Sequence, residues 1–207
     1  MSGLALLDYA SVFIFALTGA LAASRAQLDL IGFAFLASLT AVGGGTLRDL
    51  LLDRNPVFWI AQPEHIAIAC GAAGLIFFTA HLFESRARLL LWLDALALGV
   101  AVAAGVGVAM ALGHGAPVVL LMGVMTGTFG GLMRDVVANE VPMVLRQGEL
   151  YVSAAFGGAV VALLAASVSA APLVVLGSCV VSTVVLRAGS IAFGWRLPVY
   201  RARPPKL

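Results

Sequence analysis

"GGGTLRDLLLDRNP" fills residues 43–56 and "FGGLMRDVVANEVP" fills residues 129–142. Laid over each other at an offset of 86, Gly44, Gly45, Arg48, Asp49 and Pro56 fall on Gly130, Gly131, Arg134, Asp135 and Pro142. The same offset, without a gap, joins Asp8 to Asp94, Gly19 to Gly105, Thr40 to Thr126 and Gly71 to Gly157. Chance aligns a few glycines in a glycine-rich chain. It does not align a G-G-x-x-R-D-x₆-P string together with a distant aspartate, so the chain is an internal repeat.

The setting of these motifs is apolar. Of the 207 residues, 62% are hydrophobic and 11% are charged, against roughly 25% charged in an ordinary soluble domain. Too little polar surface is available to cover a water-exposed globule, and the chain reads as an all-α integral membrane protein. The run of apolar residues near Met1 lacks a positive n-region and carries Asp8, so a cleaved signal is not expected. Cys70 and Cys179 both lie in apolar stretches and imply neither a disulfide framework nor a zinc site.

A membrane-crossing helix needs about 20 apolar residues. Such stretches run from about Leu4 to Ala23, Ile31 to Leu52, Ile66 to Phe83, Leu89 to Leu112 and Val118 to Val137. After Glu149 no charge appears for 37 residues, until Arg187. That is about 55 Å of helix against a hydrocarbon core of about 30 Å, so a turn is expected near Pro172 and two spans follow, seven in all. Residues 1–86 form a first three-helix repeat and 87–171 a second; 172–193 form the seventh helix and 194–207 a basic tail. Each repeat holds an odd number of spans, so the second copy enters the membrane inverted, the design of many transport proteins. With seven spans, one side collects Arg25, Arg86, Arg88, Arg146, Arg187, Arg196, Arg201, Arg203 and Lys206, and the other Arg54. The positive-inside rule then puts the C-terminus in the cytoplasm and the N-terminus outside.

Gly43, Gly44 and Gly45 fall near the middle of the second span, and Gly130 and Gly131 near the middle of the fifth. Glycine weakens a helix by about 1 kcal/mol relative to alanine, so a kink or an unwound turn is expected at both places, with its freed backbone facing protein or water. An intramembrane charge costs at least about 2.5–3.5 kcal/mol unless paired or hydrated. Neighbours in a helix do not face each other, which makes Arg48–Asp49 and Arg134–Asp135 poor couples. Arg48 is expected to reach Asp135 or a first-span aspartate, and Arg134 to make the mirror contact, with Asp8 and Asp94 as further acceptors. Pro56 and Pro142 read as helix stops. His65, His81 and His114 have no metal-ligand spacing, "GGGTLRD" lacks the lysine and hydroxyl of a phosphate loop, and no hydrolytic set is recognisable. No metal, cofactor, nucleic-acid partner or enzymatic activity is expected.

The twin G-G-x-x-R-D motif with its downstream proline, the three-plus-three-plus-one arrangement and the size resemble the prokaryotic branch of the trimeric intracellular cation (TRIC) channel family. That resemblance implies a homotrimer in the prokaryotic inner membrane, in contact with membrane lipids. Each subunit would hold a pore permeable to potassium and other monovalent cations. The pore would run between the kinked second and fifth helices, lined at Gly43, Gly44, Gly45, Gly130, Gly131, Thr40 and Thr126. Arg48, Asp49, Arg134 and Asp135, with Asp8 and Asp94, would be its charges. Phe129 stands where the first repeat has Gly43, which makes the second break the stiffer. Some bacterial relatives are described as glycine transporters, so a secondary transporter of a small neutral amino acid is the alternative expectation.

Overall fold

A computed structural model describes residues 3–83 and 85–200. Eight α-helices account for most of them: α1 (Gly3–Arg25), α2 (Leu30–Leu51), the single turn α3 (Phe58–Ala61), α4 (Glu64–Thr79), α5 (Arg86–Ala111), α6 (Ala116–Val137), α7 (Val152–Val168) and α8 (Pro172–Phe193). Short 3₁₀ turns follow α4 and precede α7, at Ala80–Leu82 and Met143–Leu145. Six segments are long and apolar enough to cross a membrane: α1, α2, α4 with its 3₁₀ extension, α5, α6 and α8. The apolar α7 is shorter at 17 residues, about 26 Å of rise.

Local chemistry sets the helix ends, and sets them twice. Asp29 caps α2 by accepting from the amide of Gly32 at 2.7 Å, while α6 and α8 begin with proline in the first turn, where its missing N–H costs nothing. The helices α1, α2, α5 and α6 all end in the same left-handed hook, at Gln27, Asp53, Gly113 and Asn139. Those positions are again related pairwise by 86. In each the following amide folds back five residues: Leu28 to Ala23, Arg54 to Asp49, His114 to Ala109 and Glu140 to Asp135. This corrects the reading of Pro56 and Pro142 as stops. α2 and α6 have ended at Leu51 and Val137 before either proline is reached.

α1 and α5 form the centre. α1 packs on α2, α4 and α5, while α5 packs on α1, α6, α7 and α8. Many buried residues of α5 are small, Ala97, Ala101, Ala103, Ala104, Gly105 and Ala109 among them, so its neighbours approach closely there, the usual means of helix association where lipid removes the hydrophobic drive. Large apolar side chains such as Ile31, Phe35, Leu50, Phe78, Leu164 and Val181 point outward, the side a bilayer covers.

α2 and α6 cross antiparallel at the glycines. Gly44 lies against the backbone carbonyl of Thr126 and Gly130 against that of Thr40, so closely that a Cβ at either would overlap the carbonyl oxygen. Flanking this crossing, Gly19 of α1 sits on Leu36 and Thr40, and Gly105 of α5 on Met122 and Thr126. Both helices run through their glycines without interruption, which overturns the expectation of an unwound turn. The glycines are spent on approach between backbones, and the tight seam holds the helical hydrogen bonds in place.

Candidate functional site

Immediately beyond each glycine lies a buried arginine. Arg48 is wholly inaccessible; its Nη1 donates to Asp8 Oδ1 and its Nε to Asp49 Oδ1, both at 2.8 Å. Arg134, equally buried, donates from Nη1 to Asp94 Oδ1 and from Nε to Asp135 Oδ1, again both at 2.8 Å. The second oxygen of each motif aspartate accepts a backbone amide from the following loop at 2.8 Å, Phe58 for Asp49 and Met143 for Asp135. In each repeat, then, one guanidinium ties the first helix to the second, and one carboxylate ties the second helix to its loop.

This geometry answers the pairing question in two parts. The first-span and fourth-span aspartates are the partners, as the offset suggested. No contact joins Arg48 to Asp135 among the described residues; each arginine stays within its own repeat, apart from a 2.9 Å bond from Arg134 Nη1 to the hydroxyl of Thr18. Adjacent residues do pair, contrary to expectation. The rule about helical neighbours concerns the direction of Cβ, and the long arginine stem folds back far enough to offer its Nε edge to the next residue.

The two clusters are not equivalent in their surroundings. The first is neutral, because Arg54 adds a second cation on Asp49 Oδ1 at 2.8 Å, and Asp8 is partly exposed. It opens onto a vestibule of about 270 Å³ lined by Asp8, Arg54, Phe58, Gln62 and His65, among others. A far smaller cavity of about 10 Å³ follows, bounded by Asp8, Ser11, Gly44, Gly45, Phe58 and Thr126. In the second cluster one arginine faces two carboxylates with no exposed edge. Glu140, the counterpart of Arg54, turns away to Arg25 at 3.1 Å. Thr40 donates to its own helix at Leu36 O, 2.6 Å away, whereas the Thr126 hydroxyl and the Nη2 of both arginines are buried without a hydrogen-bond partner among the described residues.

Several residues that matter here were not singled out in the sequence. Arg187 was counted with the loop charges, yet it lies inside α8, fully buried, bonded to Glu149 at 2.9 Å and 5.0 Å from the ring centre of Tyr151. Phe58 carries Arg48 at 5.4 Å from its ring centre and meets His65 edge-on at 4.9 Å; His65 in turn stacks on Tyr9 at 4.2 Å. His65 and Tyr151 are themselves 86 apart, a signal the repeat held. Arg201, Arg203 and Lys206 of the basic tail lie outside the described residues.

An all-helical bundle with six spans long and apolar enough to cross a membrane and duplicated charges buried around a glycine seam defines a polytopic membrane protein. The family model for "Glycine transporter" matches it twice, at residues 5–81 and 91–167, two matches separated by the same 86 residues. The chain is 37% identical over 199 residues to the UPF0126 inner membrane protein YadS of Escherichia coli K12, covering 94% of both. It is also 37% identical over 199 residues to a UPF0126 membrane protein of Vibrio cholerae, covering 94% of this chain and 82% of that one. Among solved structures, it superimposes on the trimeric intracellular cation channel orthologue of Rhodobacter sphaeroides with a TM-score of 0.90 and 40% identity, over 94% of this chain and 100% of that one. A further TRIC cation channel matches with a TM-score of 0.85 and 28% identity over 99% and 100% of the two chains. The chain belongs to this prokaryotic TRIC-like, UPF0126 family of membrane proteins, and it is not an enzyme.

Proposed function

We propose that the chain is a cation channel, permeable to potassium and other monovalent cations, with a passage in each subunit along the α2–α6 seam. The halves 1–86 and 87–171 would be inverted repeats, and α7 would complete a set of seven spans before the helix 172–193. The antiparallel crossing of α2 and α6 at positions 86 apart supports that topology.

The observation that carries the reading is the Arg134 cluster, two carboxylates against one guanidinium with every group buried. Taken as ionised, it leaves one negative charge in excess beside the seam, which favours cations over anions. The partnerless Thr126 hydroxyl and arginine Nη2 groups support a hydrated path, since buried polar atoms without partners are few in native proteins and usually mark water or function. The likeness to cation channels at 40% identity adds weight. A cavity of about 10 Å³ is space for about one water, so this form is shut. Conduction would require the continuous helices to bend at Gly43–Gly45 and Gly130–Gly131, with the charged residues setting the field. The charge distribution supports an outside N-terminus and a cytoplasmic C-terminus. The family resemblance supports a homotrimer in lipid of the prokaryotic inner membrane.

Purified protein in planar bilayers under a potassium gradient should give discrete currents that reverse near the potassium equilibrium potential. Sealed bilayers at every voltage would overturn the channel reading. The second reading, a carrier for a small neutral amino acid, draws on the matching family model and on a vestibule that offers both a carboxylate, Asp8, and a guanidinium, Arg54. Saturable, competable uptake of labelled glycine into proteoliposomes, with no unitary current, would favour it.

A further inference from the structure

The repeat places an aromatic side chain on each of two equivalent glycines, but draws it from different positions. Gly45 and Gly131 are 86 apart. A Cβ on Gly45 would stand 2.5 Å from the ring of Phe58, and one on Gly131 would stand 3.0 Å from the hydroxyl of Tyr151. The residue 86 beyond Phe58 is Val144, and the residue 86 before Tyr151 is His65, so neither aromatic is the image of the other. Because α2 and α6 cross antiparallel, Gly45 and Gly131 lie on opposite sides of the crossing.

The two rings differ in their surroundings. Phe58, together with Asp8, lines both the 270 Å³ vestibule and the 10 Å³ cavity that Thr126 also borders. It is held there by Arg48 behind it and by His65 at its edge. Tyr151 is 2% exposed. It stands between the buried Asp94–Arg134 pair, whose atoms share the surroundings of Gly131, and Arg187, whose partner Glu149 is 30% exposed at its side chain.

We propose that Phe58 and Tyr151 are the two gates of the passage, one closing each end of the seam on either side of Thr126. The proposal rests on the reading that a passage follows the seam, and the test separates the two. Thr126→Cys is introduced with Cys70→Ser and Cys179→Ala, and the thiol is exposed to Ag⁺, a thiol-seeking monovalent cation. Right-side-out and inverted membrane vesicles are both used, and protection from later alkylation in denatured protein is read by mass spectrometry. With both rings intact, the thiol should react slowly from either face. Phe58→Ala should speed the reaction at least tenfold from the vestibule face alone, and Tyr151→Ala tenfold from the opposite face alone. Acceleration from both faces by either single variant, or fast reaction with both rings intact, overturns the gates and leaves the passage standing. A thiol that stays unreactive in the double variant overturns the passage itself. Variants are scored only when they elute as the parent on size exclusion. Phe58→Leu and Tyr151→Leu replace any that do not, with the same sidedness expected.

Discussion

Gly44 lies against the backbone carbonyl of Thr126 with no room for a methyl group between them. What the helix would contact there is backbone, which cannot rotate away. Gly44→Ala is therefore expected to force α2 and α6 apart. Overpacking of this kind costs about 1–3 kcal/mol, seen as a fall in melting temperature of detergent-solubilised protein. Gly43 is the control one residue earlier, because a Cβ there would stand nearest the sulfur of Met133, at 2.9 Å, in a flexible side chain that can move. Gly43→Ala should leave the melting temperature nearly unchanged.

Arg134→Ala would leave Asp94 and Asp135 buried together with no cation. Removing one partner of a buried ion pair costs about 3–5 kcal/mol, and the expected outcome is protein that melts far lower or fails to accumulate. Arg134→Lys should restore little, because Nε and Nη1 serve two different carboxylates in a fork that a single ammonium cannot reproduce. Arg48→Ala should be milder, since Asp8 reaches the vestibule and can be hydrated. Thermal melts of the three variants side by side check the ranking.

Asp94→Asn keeps the shape of the second cluster and removes its surplus negative charge. The protein should fold, and its preference for potassium over chloride should fall. Reversal potentials in a potassium chloride gradient would then move toward zero. An unchanged reversal potential would place the selecting charge elsewhere.

Arg54 sits at the vestibule with its guanidinium more than a third exposed, and Asp49 keeps Arg48 and the Phe58 amide without it. Arg54→Gln should cost no more than about 1 kcal/mol in stability, as exposed pairs do. It should raise inward cation current at low salt by removing a positive charge from the mouth. The gain should vanish toward 1 M salt, where screening acts within about 3 Å.

Much of this was legible because the repeat is nearly undisturbed. The offset that joins Asp8 to Asp94 put both aspartates among the candidate partners of the arginines, beside Asp135, and Asp8 and Asp94 are the ones that pair. The bounds expected for the seventh helix, 172–193, coincide with α8. The Arg48–Asp49 bond escaped because helical spacing speaks of where side chains start, and arginine's reach decides where they finish. The uninterrupted helices escaped because glycine's weak propensity was weighed without Thr126 and Thr40, whose carbonyls occupy the space the glycines leave. Glu149 and Arg187 escaped for a different reason. They meet across α8, which has no counterpart in the repeat, so nothing in the pattern paired them.

The hooked ends, the seam and the arginine clusters are duplicated, while Arg54 against Glu140, Phe58 against Val144 and His65 against Tyr151 are not. A surface that meets its own inverted copy is bound to equality, since one substitution alters both sides at once. Joined in a single chain, the two copies are free to diverge, and here the scaffold has stayed alike while the two ends of the seam have become chemically unlike. If cations pass along the seam as proposed, those arriving from opposite directions meet different obstacles first, and the expected current rectifies.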